Sequence, residues 1–208
     1  MTRLLHVSAS PRGEQSESIA LAGSFLSTYR EAHPDAVIDE WNLWETDLPD
    51  MGPAAAQAKM NALTGTPLTD AQNTSWNRVL DTFRRFDSYE HYLFSVPMWN
   101  HGLPYVLKHF IDVISQNGLL FAIDQQTGYR GLLAGKKAAV VYTAAVYHPG
   151  SPDEFGVDFH AMYFDYWLRF AGITDVARIT FHANMFDDNA GAFREQSHRA
   201  AAILGKGF

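Results

Sequence analysis

The chain has 208 residues, enough for one full hydrophobic core, and its 47% hydrophobic and 19% charged residues are ordinary for a globular protein. A net charge of −7 argues against nucleic acid and anionic membrane as partners, since both attract basic patches. With no cysteine there are no disulfides, thiolate metal sites or cysteine nucleophiles, and no apolar run reaches the ~18 residues that a spanning helix needs.

Met1 leads straight into an apolar run without a secretory h-region, so a cytoplasmic, soluble protein is expected, with one domain over 1–208. Leu4-Leu5-His6-Val7 reads as a first strand. The polar turn Ser8 to Ser18 follows, and then a helix over about 16–32 that His33-Pro34-Asp35 stops. Residues 36–43 read as a second strand, and 44–69 as a long connection holding one Ala-rich helix. Thr69-Asp70 caps a helix through about Phe86, with Trp76, Val79, Leu80 and Phe83 as its apolar stripe. A third strand, Tyr89 to Val96, ends in Pro97-Met98-Trp99-Asn100-His101-Gly102-Leu103-Pro104, and the next helix ends near Asn117-Gly118. The turn-rich stretch 119–135 reads as a hairpin or a flap. Ala138 to Thr143 is a continuous apolar run, as in a strand buried on both faces. A loop over 147–156, a helix at about 158–171, a fifth strand over 174–181 and a last helix over 190–204 complete the chain. The Asp187-Asp188 pair reads as solvated loop before that helix.

Five strands alternating with helices predict a doubly wound α/β sheet of parallel strands. Such sheets bind ligands beyond the strand C-termini, where loops 8–18, 97–102 and 143–148 meet. The first loop opens a helix whose N-terminal N–H groups and positive dipole end suit a phosphate. Ser10, Ser16 and Ser18 add hydroxyls, Arg12 adds charge and Gly13 lets the backbone bend. An ordinary serine-capped turn is the competing account. It is neither a Walker loop nor a GxGxxG fingerprint. In the second loop a proline turn, a thioether, an indole and an amide follow one another, which suits a flat heteroaromatic ring. Hydrolase signatures are missing: the chain has no GxSxG and no HExxH. Of nine histidines only His101 falls in this region, as a ring-edge neighbour and not a metal ligand.

Ser8-Ala9-Ser10-Pro11-Arg12 with Ser16-Glu17-Ser18, Pro97 to Pro104 with Leu107-Lys108, Gly131 to Lys137 and Phe170-Ala171-Gly172-Ile173 carry a resemblance over nearly the whole chain. On these motifs the sequence resembles the FMN-dependent NADH azoreductases, flavodoxin-like proteins that also reduce quinones. The resemblance implies a flavodoxin-like doubly wound sheet in the order 2-1-3-4-5 with helices on both faces. It implies FMN with its phosphate on Ser10, Ser16, Glu17 and Ser18, and its isoalloxazine on Pro97, Met98, Trp99, Asn100 and His101, with Met98 against the ring. It further implies a homodimer with two sites at the subunit interface. Where the family often has Ser-Arg-Gly-Gly after the fourth strand, this chain has Thr143-Ala144-Ala145-Val146. Thr143 still offers a hydroxyl, and the loss of the glycines and arginine bears on pocket shape and acceptor preference.

The expected activity is two-electron transfer from NADH or NADPH through FMN to quinones and azo compounds, in a ping-pong order. The cofactor carries that chemistry, so no general base is assigned. Tyr147 and His148, just past the fourth strand, are either proton donors to the acceptor or loop packing. Arg12, Arg130 and Lys136 are the basic residues that could face a 2′-phosphate of NADPH. The alternatives are a flavodoxin-type electron carrier without small-molecule turnover and a flavin-free adaptor that kept the fold.

Overall fold

The computed structural model describes residues 2–182 and 188–208. Of the Asp187-Asp188 pair, Asp187 lies outside the described residues. The strands are β1 (Arg3–Ser8), β2 (Val37–Asn42), β3 (His91–Pro97), β4 (Phe121–Asp124), β5 (Gly128–Gly131), β6 (Lys137–Ala144) and β7 (Asp175–His182). The helices are α1 (Glu17–Ala32), α2 (Pro53–Thr64), α3 (Asp70–Asp87), α4 (Tyr105–Ile114), α5 (His160–Ala171) and α6 (Ala190–Gly207).

A flavodoxin-like α/β fold with one five-stranded parallel sheet results, its strands lying side by side as β2-β1-β3-β6-β7. The two strands beyond the expected five, β4 and β5, pair with each other as an antiparallel hairpin apart from the sheet. Stretch 119–135 is therefore a hairpin. It sits on the end of α5, where Gly131 and Gly172 meet so closely that a Cβ on Gly131 would lie 2.2 Å from the Gly172 nitrogen. Leu133 N–H also donates to the Ala171 carbonyl there (2.9 Å).

The three central strands are buried along nearly their whole length because both of their faces are covered. Leu5 and Val7 of β1, Tyr92, Phe94 and Val96 of β3, and Ala138, Val140 and Tyr142 of β6 join one core with residues of α3, α4 and α5. The alternate residues Leu4, Leu93, Ala139 and Val141 join a second core with α1 and α6. Period-two alternation thus feeds two apolar layers from each strand.

Side-chain caps fix the helix starts that matter for the site. Ser16 caps α1 by accepting the Ile19 N–H, and Thr69 with Gln72 forms a capping box on α3. A short 3-10 turn, Gly13–Gln15, brings the chain from β1 to that cap. No described helix is long and apolar enough to cross a membrane.

Candidate functional site

The C-terminal ends of β1, β3, β6 and β7 open into a cavity of about 370 Å³. Ser10, Arg12, Ser16 and Glu17 line its end nearest α1. Pro97, Met98, Trp99, Thr143, Ala144, Ala145 and Phe181 line the remainder. The sheet register brings these loops together: Pro97 lies opposite Thr143, and Thr143 opposite Phe181. Beyond the end of β3, Met98 N–H donates to the Thr143 carbonyl at 2.7 Å, tying the two loops.

At the polar end Ser16 Oγ takes the Ile19 N–H (3.4 Å) and the Ser16 carbonyl takes that of Ala20 (2.9 Å). The N–H groups of Glu17 and Ser18, the first two of the helix, have no intrahelical acceptor and point the positive dipole end at this region. Among the described residues the Arg12 guanidinium has no ion-pair partner, whereas the Glu17 carboxylate is held by Arg194 at 2.8 Å. Glu17 therefore offers its backbone N–H, with its negative charge largely neutralised. The opposite end combines a proline, a thioether, an indole and small alanines. Trp99 is braced from outside by Trp44 (ring centroids 5.5 Å), whose indole N–H is fixed to the Ala9 carbonyl (2.9 Å). One end suits a phosphate and the other a flat ring.

Three of the sequence-predicted residues stand outside this lining. Ser18 is fully buried, and its hydroxyl meets that of Ser16 at 3.1 Å, because it lies on the core side of α1's first turn. Asn100 and His101 form a tight exposed reversal in which Trp99 and Gly102 exchange backbone hydrogen bonds at 2.9 and 2.8 Å. Both have positive φ, 47° and 67°, and neither lines the cavity that Trp99 lines. Tyr147 stacks edge-on with His182 (5.6 Å), and burial pushes its phenol pKa up, with Asp158 adding to the rise. His148 lines a separate cavity of about 520 Å³ beside β7 and α6. Lys136 is committed at the far end of the sheet, to the Tyr89 carbonyl (2.7 Å) and the Asp87 carboxylate (2.9 Å). Arg130 belongs to the hairpin, which leaves Arg12 as the one of the three basic candidates at the cavity. Phe181 is the lining residue that sequence reasoning missed. Its only signal is its place at the end of the last strand.

A larger cavity, about 670 Å³, lies along α5 beside Leu103, Phe159, Met162, Tyr163 and Tyr166. Its walls are aromatic and apolar, and the ammonium at its rim, Lys108, is engaged by Asp112 at 2.6 Å. It lacks the serine hydroxyls that gather at the start of α1 in the smaller cavity, so size does not make it the better candidate for chemistry. No cluster of His, Asp and Glu among the described residues could hold a metal ion.

Residues 2–204 match a protein family described by its flavodoxin-like fold. A Ruegeria pomeroyi protein named FMN-dependent NADH:quinone oxidoreductase is 40% identical over 92% of this chain and 94% of its own. A Burkholderia lata protein named FMN-dependent NADH:quinone oxidoreductase 9 is 39% identical, with both chains covered in full. Among solved structures, an azoreductase from Bacillus anthracis str. Sterne superposes over the whole of both chains with a TM-score of 0.91 at 27% identity. On the family match, the full-length relatives and the shared fold, the chain belongs to the flavodoxin-like family that contains the FMN-dependent NADH:quinone oxidoreductases.

Proposed function

We propose that this chain is an FMN-dependent NADH:quinone oxidoreductase with azoreductase activity, taking two electrons from NADH or NADPH and passing them to quinones and azo compounds. The observation that carries the proposal is the two-ended cavity, with hydroxyls, the Arg12 guanidinium and a helix N-terminus at one end and Pro97, Met98 and Trp99 at the other. That donor set fits FMN. Ser10, Ser16 and the N–H groups of Glu17 and Ser18 would hold the phosphate, with Arg12 adding charge. Pro97, Met98, Trp99 and Thr143 would hold the ring system, with Ala144, Ala145 and Phe181 completing the wall. Ser18 serves through its bond to Ser16, and Asn100 and His101 through the turn that presents Trp99. When bound, FMN supplies a ring that accepts a hydride and returns two electrons. The chain's own residues bind, orient and exclude water, and the two substrates use the same open side in turn, in a ping-pong order.

The finer architecture belongs to the same proposal. Counted without the hairpin, the sheet is the doubly wound 2-1-3-4-5 arrangement with helices on both faces, in a single FMN-binding domain over 1–208. The exposed aromatic face of α5 is the surface on which a second copy would dock to give a homodimer. The cytoplasm, where NADH is made and reoxidised, is the proposed location.

The test uses freshly purified protein with FMN bound. Its visible flavin bands should bleach on anaerobic addition of NADH and return on addition of a quinone. Double-reciprocal initial-rate lines at several fixed quinone concentrations should be parallel. A protein that takes up no FMN, or that keeps its bands in the presence of both NADH and NADPH, contradicts the proposal, and intersecting lines contradict the ping-pong order.

A further inference from the structure

The reversal that follows β3 is held in a conformation that it would not choose alone. Asn100 and His101 both lie in the left-handed region, with φ of 47° and 67°, uphill of their usual backbone minima. Such residues persist where neighbouring structure over-determines them. Here the neighbours are the five residues that lead into α5. Phe159 N–H donates to the His101 carbonyl at 3.0 Å. Gly156, with φ of 108°, lies so close to the His101 imidazole that a Cβ there would sit 2.6 Å from the ring.

The third contact is the deepest. His160, the first residue of α5, is fully buried and edge-on to Tyr142, with ring centroids 4.9 Å apart. Its Nε2 lies 2.7 Å from the Val96 carbonyl, and a carbonyl only accepts, so Nε2 carries the proton and donates. The other ring nitrogen, Nδ1, has no hydrogen-bond partner among the described residues and is 3.8 Å from an Asp158 carboxylate oxygen. Burial lowers the His160 pKa despite the Val96 bond and the nearby Asp158 and Asp165, so the ring is neutral and that approach is not an ion pair. A buried imidazole with one nitrogen unmet is a poor choice for packing alone, because an apolar ring would fill the same space without desolvating a polar atom. What an apolar ring cannot supply is the donor to Val96.

Val96 precedes Pro97, so the peptide unit between them has no N–H, and its carbonyl is its only polar handle. Holding that carbonyl fixes the plane of the peptide from which Pro97 and Met98 leave the sheet. We infer that His160 is a positioning residue: by donating to the Val96 carbonyl it sets the direction in which Pro97, Met98 and Trp99 are presented to the flavin ring. It touches no reacting atom. The inference rests on residues 97–99 being the ring-binding loop.

The experiment compares His160→Phe, which fills the same space without a donor, with His160→Gln, whose amide N–H reaches about as far as Nε2. Dissociation constants for FMN and for riboflavin, which lacks the phosphate, are measured by flavin fluorescence, together with the visible spectrum of the FMN-loaded protein. Loss of the donor acts on the ring and not on the phosphate. His160→Phe should therefore weaken both flavins by the same factor, about tenfold, and shift the flavin bands, while His160→Gln stays within about threefold of wild type. Ser10→Ala is the contrast, and it should weaken FMN and spare riboflavin. If Ser10→Ala behaves so but His160→Phe binds both flavins like wild type, the role of His160 is overturned and the FMN assignment stands. If neither variant changes either flavin, both are overturned. Should His160→Phe fail to fold, the wild-type protein decides: the His160 imidazole ¹⁵N signals should move on addition of FMN. Signals that stay in place while the Trp99 indole moves overturn the inference.

Discussion

At the start of α1 the Ser16 hydroxyl caps the helix and meets the buried Ser18 hydroxyl behind it, while the Ser18 carbonyl ends a buried chain of hydrogen bonds. Ser95 Oγ donates to the Ser18 carbonyl at 3.1 Å, so it must accept from His6 Nε2 at 2.8 Å. His6 thereby keeps a proton on Nε2 inside the sheet. Its pKa is drawn down to about 4, by burial first and by the Arg30 charge second. Glu40, 4.0 Å from Nδ1, is too exposed to offset this, so the pair is not an ion pair at neutral pH. The unfolded chain takes up this proton near 6.5 and the folded chain only near 4. Stability from His6 is complete above pH 6.5 and is lost as the pH falls towards 4. A drop from 6.5 to about 4 corresponds to about 3 kcal/mol. In urea titrations between pH 7 and 4, wild type should lose up to about 3 kcal/mol more than His6→Gln, which keeps a donor but does not titrate. Equal losses would show that His6 is not a buried neutral ring. Of the residues that line the cavity, those legible in the sequence follow strand ends, Ser10, Pro97 to Trp99 and Thr143, or open α1, Ser16 and Glu17, because topology sends such positions to one edge of the sheet. Ser18, Asn100 and His101 were not, since a helical turn or a reversal of two positive-φ residues redirects side chains within one or two positions.

Among the elements, α1 and α6 approach until backbone meets backbone. A Cβ on Gly205 would lie 2.1 Å from the Phe25 carbonyl oxygen and 2.6 Å from Thr28 Oγ1, which itself donates to the Ala202 carbonyl at 2.6 Å. Gly205→Ala should therefore force the helices apart and destabilise by about 1–3 kcal/mol. Gly23, also inside α1, has open space around it, so Gly23→Ala should stabilise by up to about 1 kcal/mol. Urea denaturation of the two variants should give shifts of opposite sign. Shifts of the same sign would mean that the contact is softer than the backbone geometry implies. The same contrast explains which elements the sequence announces. β1, β3 and β6 are rich in apolar residues because both faces are buried, and α3 has a capping box and an apolar stripe. The hairpin is legible only as turn-rich sequence, because strands of four largely exposed residues carry no alternation to read. The 3-10 turn Gly13–Gln15 has no buried residue and so no hydrophobic signal.

For the whole molecule, the proposed homodimer would form on the apolar face of α5 and the residue before it, where Phe159 is 59%, Met162 62% and Tyr166 57% exposed. In a two-fold dimer every residue of such a face counts twice, and each large apolar side chain buried contributes about 1.5–3 kcal/mol. Met162→Asp with Tyr166→Asp should thus give a monomer in sedimentation velocity at micromolar concentration, whereas Leu63→Asp on α2 should leave the dimer intact. A dimer that survives the double substitution places the interface elsewhere.

The proposed function turns on one assignment, that the cavity takes FMN with its phosphate at the N-terminus of α1. The most direct measurement is the pair of dissociation constants for FMN and riboflavin in wild type and in Ser10→Ala with Ser16→Ala. Hydrogen bonds to a charged group contribute about 1.5–3 kcal/mol each, so the double variant should bind FMN at least about tenfold more weakly. Riboflavin, which lacks the phosphate, should be nearly unaffected, and it controls for loss of the Ser16 cap, about 1 kcal/mol of helix stability, which would act on both flavins alike. A selective loss of FMN affinity is the predicted result; an equal loss for both flavins, or none for FMN, would contradict it.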